Sequence, residues 1–289
     1  MPEILVILNP AARSERAKKT WKQIESFPHC TLRPTTAPGD ARAFAEQAVG
    51  EGFTTIVAAG GDGTVNEVVN GIAGSGVALG ILPVGTMNVF AAELGLPNDL
   101  AAAWSVIRAG HTRKIDLVRA NTRYFVQLAG VGLDAQVVQE TSSNFKKNFG
   151  PLSYVISAAQ IAARKPPRLI VEADGVEREG SFVLLGNGRF YGGPVAVFKD
   201  ALLDDGLLDV LIFKNLGYLD IARYLGTIFM GKHTGLADVE YFQTKRAAVR
   251  SDQDVPVEVD GEVIAQLPIT FRISSRKLRV LVPAPVAAL

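Results

Sequence analysis

Residues 54–67 read Thr-Thr-Ile-Val-Ala-Ala-Gly-Gly-Asp-Gly-Thr-Val-Asn-Glu, an apolar run that leads into a glycine-rich turn and then into a helical pattern. The apolar run at Thr54–Ala58 predicts a buried strand. After the turn, Val65, Val68, Val69 and Ile72 are spaced i, i+3, i+4 and i+7, which predicts a helix with one apolar face. We therefore expect a strand, a tight turn and a helix in direct succession.

The start of this helix has the features of an anion site. Thr64 and Glu67 have the spacing of a capping box, which predicts that the helix begins at Thr64. The first N–H groups of a helix attract anions, and the glycines let a phosphate approach the backbone closely. Asp62 would repel a phosphate, so its functional interpretation is that it orients or holds Mg²⁺. Taken alone, the segment also fits a plain strand-to-helix turn in which Asp62 only caps the helix.

Two further loops are expected at the same edge of the sheet. Val77–Leu82 predicts a strand, and the turn after it contains Gly85 and Thr86, with Thr86 or Asn88 as the cap of the next helix. Asn9 directly follows another apolar run. In a parallel sheet these loops all lie at the carboxyl ends of strands, where such sheets bind ligands.

The order of apolar patterns predicts two domains of different architecture. Strands at Ile4–Leu8, Thr54–Ala58 and Val77–Leu82 alternate with helices at Arg16–Phe27 and Ala41–Val49, which favours a parallel sheet covered on both faces. From about Ile115 the strands are short and separated by turns, which favours an antiparallel β-sandwich. These strands are Ile115–Arg119, Tyr124–Ala129, Leu169–Glu172, Ser181–Leu185, Leu208–Phe213, Ala247–Arg250, Val255–Val259, Ile269–Ile273 and Leu278–Val282.

The predicted fold class is therefore a two-domain α/β protein. An α/β nucleotide-binding domain is expected at residues 1–115, and a β-rich domain at residues 116–289, with a C-terminal tail that can return to the first domain. A length of 289 residues agrees with two domains. Leu219–Met230 reads as a helix of the core.

Composition excludes several classes of protein. A formal net charge of +1 gives no argument for a nucleic-acid partner. The single cysteine, Cys30, excludes an internal disulfide framework and fits a reducing cytosol. The sequence shows no signal-peptide pattern and no apolar run of roughly 18 residues, so we expect a cytoplasmic protein.

Further motifs accompany the glycine-rich loop in a defined order along nearly the whole chain. They are Asn9-Pro10, residues 35–41, 60–66, 83–88, 132–135, Gly186-Asn187 with Gly192-Gly193, residues 202–210 and residues 257–262. This order resembles the diacylglycerol kinase catalytic-domain family, which includes bacterial lipid kinases and the sphingosine and ceramide kinases. The glycine-rich motif alone is shared with NAD kinases, whereas the segments at 205–210 and 260–262 are more specific.

The resemblance implies a set of functional residues. The residues expected to bind ATP are Asn9, Thr35, Gly60, Gly61, Asp62, Gly63, Thr64, Val65, Asn66, Gly85 and Thr86. Either Glu262 or Asp260 is the implied base for the lipid hydroxyl, and Asp260 has the alternative role of binding Mg²⁺ or supporting the base. A structural Mg²⁺ is implied at Leu202, Asp205 and Leu207, with the two leucines contributing backbone carbonyls.

The residues alone do not select these carboxylates. Asp260-Gly261 between apolar runs is a strong signal for a hairpin turn, and Asp205-Gly206 reads in the same way. The two interpretations are compatible, because a hairpin tip can present a carboxylate to a cleft between the domains.

The predicted activity is therefore that of a lipid kinase that uses ATP and Mg²⁺ to phosphorylate a hydroxyl of diacylglycerol, or of a sphingoid or ceramide-type lipid. The alternatives are a kinase of a soluble substrate such as NAD and a non-catalytic nucleotide-binding module. The expected partners are ATP and a lipid at a membrane surface that the protein contacts transiently. The oligomeric state, including a homodimer, stays open.

A membrane-docking element is expected in the second domain. Phe145–Leu152 mixes aromatic residues with lysines, and Tyr154–Ala163 is mostly apolar and ends at Arg164-Lys165. Such a mixture suits an interfacial element, and it equally suits a core helix flanked by solvated lysines.

Overall fold

A computed structural model describes residues 4–10, 15–132 and 166–285 of the chain. The chain divides into two compact units. The N-terminal unit consists of Met1–Leu117, Gly192–Pro194 and Ser275–Leu289, and the β-rich unit consists of Val118–Tyr191 and Val195–Ser274. The expected domain boundary after residue 115 stays a prediction, because compactness does not test which segments fold independently.

The N-terminal unit is built on a parallel sheet, as the alternation of strands and helices predicts. Its strands have the order β2-β1-β3-β4 and all pair in parallel. They are β1 (Ile4–Leu8), β2 (Cys30–Pro34), β3 (Thr55–Gly60) and β4 (Ala78–Pro83). The helices are α1 (Glu15–Glu25), α2 (Asp40–Gly50), α3 (Asp62–Ile72), α4 (Val89–Glu93) and α5 (Leu100–Ala109).

The core of this unit explains why the strand sequences are continuously apolar. Every residue of β1 and β4 is buried, so both faces of these strands are covered. On one face, Ile24 and Trp104 join the core, and the Trp104 ring stacks on Phe27 at 4.8 Å. Each fully buried large side chain contributes about 1.5–3 kcal/mol relative to its exposed state.

Helix α3 begins two residues earlier than the capping box predicts. Its first residue is Asp62, and its N-cap is Gly61, which has no side chain. The Glu67 carboxylate is bound elsewhere, because it accepts hydrogen bonds from the N–H groups of Gly39 and Ala41, both at 3.1 Å. The prediction of a start at Thr64 is therefore wrong, and Glu67 instead stabilises the beginning of α2.

The β-rich unit contains two antiparallel sets of strands. One sheet has the order β14-β13-β10-β7-β16-β17, and the other set pairs as β18-β15-β8-β9, with β5 and β6 joined through β18. The strands before residue 200 are β5 (Thr112–Ala120), β6 (Arg123–Phe125), β7 (Leu128–Val131) and, beyond the undescribed segment, β8 (Leu169–Ala173), β9 (Val176–Gly180), β10 (Phe182–Gly186), β11 (Phe190–Tyr191) and β12 (Val195–Ala196). The later strands are β13 (Leu208–Phe213), β14 (Val239–Thr244), β15 (Arg246–Arg250), β16 (Pro256–Val259), β17 (Glu262–Gln266) and β18 (Ile269–Leu281).

Side chains from both sets form one core, which confirms the predicted sandwich. Phe125 and Phe271 meet edge to face at 6.2 Å, and both are fully buried. Val131, Val183 and Val257 add the facing side of the six-stranded sheet. Apolar burial between two sheets is the arrangement that short alternating strands favour.

Two predicted strand boundaries differ from the structure. Tyr124–Ala129 is interrupted between β6 and β7, because three backbone N–H groups in this segment bind the Asp260 carboxylate. Ile269–Ile273 and Leu278–Val282 belong to one continuous strand, β18. Its first residues pair with β15, and Arg279 and Val280 pair with β4.

Helix α6 (Tyr218–Phe229) departs from its predicted role in the core. It buries Ile221 and Tyr224, but the Leu219 side chain is 87% exposed and Phe229 is 74% exposed. The interpretation of this segment as a core helix is therefore wrong for its outer face. None of the helices in the described ranges is long and apolar enough to cross a bilayer.

We predict that the ion pair between Asp116 on β5 and Lys277 on β18 stabilises the fold, because the Asp116 carboxylate is buried. Asp116 is fully buried, and Lys277 donates to its carboxylate. Replacing Lys277 by Met removes the cation from a buried carboxylate and should lower the free energy of unfolding by about 3 kcal/mol. Urea unfolding measures this change. The control is Lys245→Met, at an exposed turn position, which should change the free energy of unfolding by less than about 0.5 kcal/mol. Equal losses of stability in the two variants would contradict the prediction.

Candidate active site

The predicted phosphate-binding loops meet at the carboxyl edge of the parallel sheet. Asn9 follows β1, Thr35 follows β2, and residues 60–66 and 85–86 follow the next two strands. The Asn9 side chain donates from Nδ2 to Thr64 Oγ1 at 3.0 Å. The Thr35 N–H donates to the carbonyl of Leu8 at 2.9 Å. The structure thus brings these predicted residues to one edge.

The two glycine loops pack directly against each other. The Gly60 carbonyl accepts hydrogen bonds from the N–H groups of Val84 at 3.1 Å and Gly85 at 3.3 Å. A Cβ on Gly85 would lie only 2.4 Å from the Cα of Gly61. Because two backbones occupy this space, any side chain at Gly85 would force the loops apart.

The N-terminus of α3 has the donor chemistry that a phosphate requires. Its N-cap is Gly61, which has no side chain that could cap the helix. A Cβ built on Gly63 has no heavy atom within 4 Å, which leaves room beside the first turn. The helix dipole adds partial positive charge at the same end. The first N–H groups of the helix, the open space and the positive potential together fit the phosphates of a nucleotide.

The remaining predicted residues of the loop face the protein interior. Thr64, Val65 and Asn66 are buried, with 6%, 3% and 2% of their surfaces exposed. Val65 packs its side chain inward, so it can contribute only its backbone to a ligand. Asn66 contacts Asn70 and lies within the helix.

Asp62 connects the two loops. Its Oδ1 accepts a hydrogen bond from the N–H of Phe90 at 3.2 Å, so Asp62 caps α4. Asn88 occupies the N-cap position of α4, as predicted, but its Nδ2 donates to the Gly85 carbonyl at 2.9 Å instead of its side chain capping the helix. Thr86 is exposed at the tip of this loop. A partly exposed carboxylate beside the candidate phosphate-binding loops has the oxygen donors that suit Mg²⁺.

The predicted hairpin turn at Asp260-Gly261 joins β16 to β17. Both residues have positive φ values, 47° and 84°, as a tight hairpin turn requires. The turn is held by Glu258, which is 1% exposed and whose Oε2 accepts from the Gly261 N–H at 2.7 Å. Sequence reasoning missed Glu258, because a glutamate inside an apolar strand gives no sign of its partner.

The Asp260 carboxylate is engaged by the backbone on both of its oxygens. Oδ1 accepts from the N–H groups of Gln127 at 3.1 Å and Leu128 at 3.0 Å. Oδ2 accepts from the N–H of Val126 at 3.1 Å. Three backbone donors fix the orientation of this carboxylate and the path of the chain between β6 and β7.

Glu262 has a different environment from Asp260. It is the first residue of β17, and its side chain is 55% exposed. Its Oε2 accepts from Arg123 Nη2 at 2.7 Å, and Arg123 lies on β6. Arg123 was not predicted as a site residue, since the two residues are 139 positions apart and no local pattern connects them. Asp260 is thus built into the backbone framework, whereas Glu262 presents a charged group at the surface of its unit.

Asp205 makes a hydrogen bond within the predicted metal-binding loop. Oδ1 of Asp205 accepts from the Leu207 N–H at 2.9 Å, and the side chains of Asp205 and Leu202 are exposed. Across the described ranges, no group of three or more His, Cys, Asp or Glu side chains has an arrangement that could hold a metal. The predicted ligand set has one carboxylate and two carbonyl oxygens, a donor chemistry that suits Mg²⁺.

A second carboxylate, Asp209, lies on the strand that follows this loop. It is 1% exposed and accepts hydrogen bonds from Tyr241 and from Gln243 Nε2. Burial raises the pKa of Asp209, the hydrogen bonds from Tyr241 and Gln243 oppose this rise, and the neighbouring charges of Asp205 and Asp200 add to it. The carboxylates of Asp200 and Asp205 therefore lie close enough to Asp209 to repel its charged form.

The two halves of the chain match two known families. Residues 3–120 match the diacylglycerol kinase catalytic domain, and residues 127–282 match the YegS C-terminal NAD kinase beta sandwich-like domain.

Relatives agree with both matches over the whole chain. A diacylglycerol kinase of Staphylococcus aureus strain MRSA252 is 35% identical, over 96% of this chain and 91% of that protein. The diacylglycerol kinase of strain JH9 is 37% identical over the same shares. A solved structure from Bacillus anthracis strain Sterne has a TM-score of 0.83 at 25% identity and covers 99% of this chain and 97% of that chain. A structure of a diacylglycerol kinase from the same strain has a TM-score of 0.79 at 25% identity, covering 98% and 97%. By its motifs, its fold and these relatives, this chain belongs to the diacylglycerol kinase catalytic-domain family.

Proposed function

We propose that this protein is an ATP-dependent lipid kinase that transfers the γ-phosphate of ATP to a lipid hydroxyl. The acceptor is diacylglycerol, or a sphingoid or ceramide-type lipid, taken from a membrane surface that the protein contacts transiently from the cytoplasm. Relatives named diacylglycerol kinase support the lipid class.

The observation that carries the proposal is the packing of the glycine loops around the start of α3. The Gly61–Gly85 approach and the Asn9–Thr64 hydrogen bond place both loops beside a helix N-terminus whose N-cap is a glycine, and a Cβ at Gly63 would point into open space. Such a terminus binds phosphate through its N–H groups and its dipole.

Groups beside this terminus complete the nucleotide site. Thr35, Gly60 and Thr86 contribute the neighbouring loops, and Asp62 provides the oxygen ligand for Mg²⁺. When bound, Mg²⁺ neutralises phosphate charge, which is the main requirement of phosphoryl transfer besides alignment. We assign a second, structural Mg²⁺ to Asp205 and the carbonyls of Leu202 and Leu207.

Of the two hairpin carboxylates, we assign the role of base to Glu262. Its exposed carboxylate can accept the proton of the attacking lipid hydroxyl, and Arg123 orients it through a 2.7 Å hydrogen bond. Asp260 is a positioning residue, because its two oxygens already accept three backbone N–H groups. A carboxylate is a competent base here since the hydroxyl loses its proton late in such reactions.

A panel of acceptors tests the proposed function. Purified protein is incubated with γ-labelled ATP, Mg²⁺ and, separately, diacylglycerol, ceramide, sphingosine and NAD. We expect label in at least one lipid and none in NAD. Label in NAD alone would replace the proposal by a kinase of a soluble substrate, and ATP binding without transfer to any acceptor would replace it by a nucleotide-binding module.

Gly63→Ala separates nucleotide binding from stability. Alanine is favoured over glycine within a helix by about 1 kcal/mol, so the variant should have a raised melting temperature. The new methyl group occupies the open space where a phosphate would approach, so affinity for ATP should fall about tenfold or more. Calorimetric titration with ATP and thermal unfolding measure the two effects.

Gly50→Ala is the matched control for this experiment. Gly50 ends α2, and a Cβ there also has no heavy atom within 4 Å. The control should leave the affinity for ATP unchanged. Full ATP affinity in Gly63→Ala would contradict a phosphate position beside the first turn of α3.

The different roles of the hairpin carboxylates predict different losses. Glu262→Gln should lower kcat by about 10²–10⁴-fold, the usual contribution of a general base, and leave the melting temperature unchanged. Asp260→Asn keeps one carbonyl oxygen for three N–H donors, so the free energy of unfolding should fall by about 1–3 kcal/mol. Steady-state kinetics and urea unfolding on both variants measure these effects; near wild-type turnover in Glu262→Gln would remove Glu262 as the base.

A further inference from the structure

Gln127 is a buried polar residue in the connection between β6 and β7, and it contacts two other segments of the β-rich unit. Only 5% of its surface is exposed. Its N–H donates to Asp260 Oδ1 at 3.1 Å, and its carbonyl accepts from the N–H groups of Asn187 at 2.9 Å and Gly188 at 3.1 Å. Buried backbone groups outside the ladder of a sheet need such partners. Gln127 thus joins the hairpin of Asp260 to the turn that follows β10.

Two consecutive peptide groups make the same connection. The first links Val126 to Gln127; its carbonyl accepts from Asn187 Nδ2 at 2.9 Å, and its N–H binds Asp260. The second links Gln127 to Leu128; its carbonyl accepts the two bonds described above, and its N–H donates to Asp260 Oδ1 at 3.0 Å. Asn187 is 1% exposed, so the bond from its side chain is shielded from water. Because connected hydrogen bonds polarise one another, this segment cannot shift without weakening several of them.

The Gln127 side chain adds a further contact with the turn after β10. Its Nε2 donates to the Phe190 carbonyl at 3.0 Å, at the start of β11. A Cβ on Gly188 would lie 2.5 Å from both Nε2 and Oε1 of Gln127, so the amide lies directly against this glycine. The contacted atoms are the end of a flexible side chain, and a methyl group at position 188 would therefore displace the amide. Glycine at this position thus leaves room for the bond to Phe190.

Two contacts that orient Glu262 are attached to this segment. Only Asp260 and Gly261 separate β16 from β17, where Glu262 is the first residue. Asp260 binds the N–H groups of residues 126–128. Arg123, which binds Glu262 at 2.7 Å, lies on β6 shortly before them. A displacement of residues 126–128 would therefore move both the hairpin and the arginine.

We propose that Gln127 is a positioning residue that holds the Glu262 carboxylate in place to accept the proton of the lipid hydroxyl. The inference rests on the proposed function, in which Glu262 is the base. Catalysis depends steeply on such alignment, because a displacement of about 1 Å can lower the rate about a hundredfold. The role concerns proton transfer and not membrane docking, for which the sequence predicts an element within residues 145–165; these residues lie outside the described part of the chain.

Gly188→Ala tests this role without changing Gln127 itself. Gly188 has no positive φ, so alanine meets none of the strain of the left-handed region. The new methyl group displaces the Gln127 amide from the Phe190 carbonyl. We expect kcat per folded protein to fall about tenfold or more. The KM for ATP should not change, because the loops proposed to bind ATP belong to the N-terminal unit. Unchanged kcat would overturn the proposal.

The same change in a Glu262→Gln background separates positioning from stability. Once the base is removed, its position no longer affects the rate, so Gly188→Ala should lower kcat there by less than about twofold. A loss of fold stability or of substrate affinity would instead lower turnover in both backgrounds alike. An equal fold-loss of kcat in the two backgrounds would therefore overturn the proposal.

Gln127→Ala tests the side chain directly. It should lower kcat to a similar extent as Gly188→Ala. Adding Gly188→Ala to it should have no further effect, because the amide that the methyl group displaces is absent. Losses that multiply in the double variant would overturn the role of this side chain.

Gly217→Ala is the matched control. Gly217 lies in the same unit, and a Cβ there would lie 3.0 Å from Asp220 Oδ2, so this variant also presses on the end of a side chain. It should keep the kcat of the wild type. An equal loss of kcat in this control would overturn the assignment to Gln127.

Hydrogen exchange tests the positioning independently of turnover. In Gly188→Ala, the N–H groups of residues 126–128 should exchange about tenfold faster than in the wild type, because their bonds to Asp260 loosen. The N–H groups of β13, whose side chains lie in the core of the same unit, should exchange as in the wild type. If the wild type phosphorylates no lipid, the proposed function fails, and exchange still decides whether Gln127 holds the hairpin. Unchanged exchange at residues 126–128 would overturn that role.

Discussion

The contact between the backbones of Gly61 and Gly85 is the constraint on which the carboxyl edge of the parallel sheet depends. It exists because β3 and β4 pair in parallel up to Gly60 and Pro83, so that the loops after both strands leave the sheet side by side. At this separation Asp62 reaches the N–H of Phe90 and thereby couples the starts of α3 and α4. Any residue larger than glycine would separate the loops and, with them, the two helix termini.

Local signals in the sequence were sufficient for much of the fold. Apolar runs located β1, β3, β4 and β13, and turn residues located the hairpin at Asp260. The start of α3 could not be predicted, because the partner of Glu67 is the beginning of another helix, 26 to 28 residues away. A capping box describes only neighbours in the chain, and here a tertiary contact took the glutamate.

The residues of the candidate site could also be predicted from the sequence, but their hydrogen-bond partners could not. Motif order selected Asp260 and Glu262, but only their hydrogen-bond partners distinguish a carboxylate embedded in backbone donors from one held by an arginine. Those partners, Val126–Leu128 and Arg123, are more than 130 positions away. The exposure of α6 was hidden for a related reason. Its sequence is apolar on both sides, a pattern typical of a core helix, and composition cannot tell which side the protein covers.

The pairing of β18 with β4 affects how the chain folds while it is being synthesised. Near its end it pairs with β4, through Val280 and Leu79, while its first residues pair with β15. During vectorial synthesis on the ribosome, β4 therefore emerges long before its neighbour and presents an unpaired apolar edge until the late strand arrives. Such an edge is a template for pairing with other chains. The nascent N-terminal unit thus depends on late residues for its completion, which couples the folding of the early and late parts of the chain.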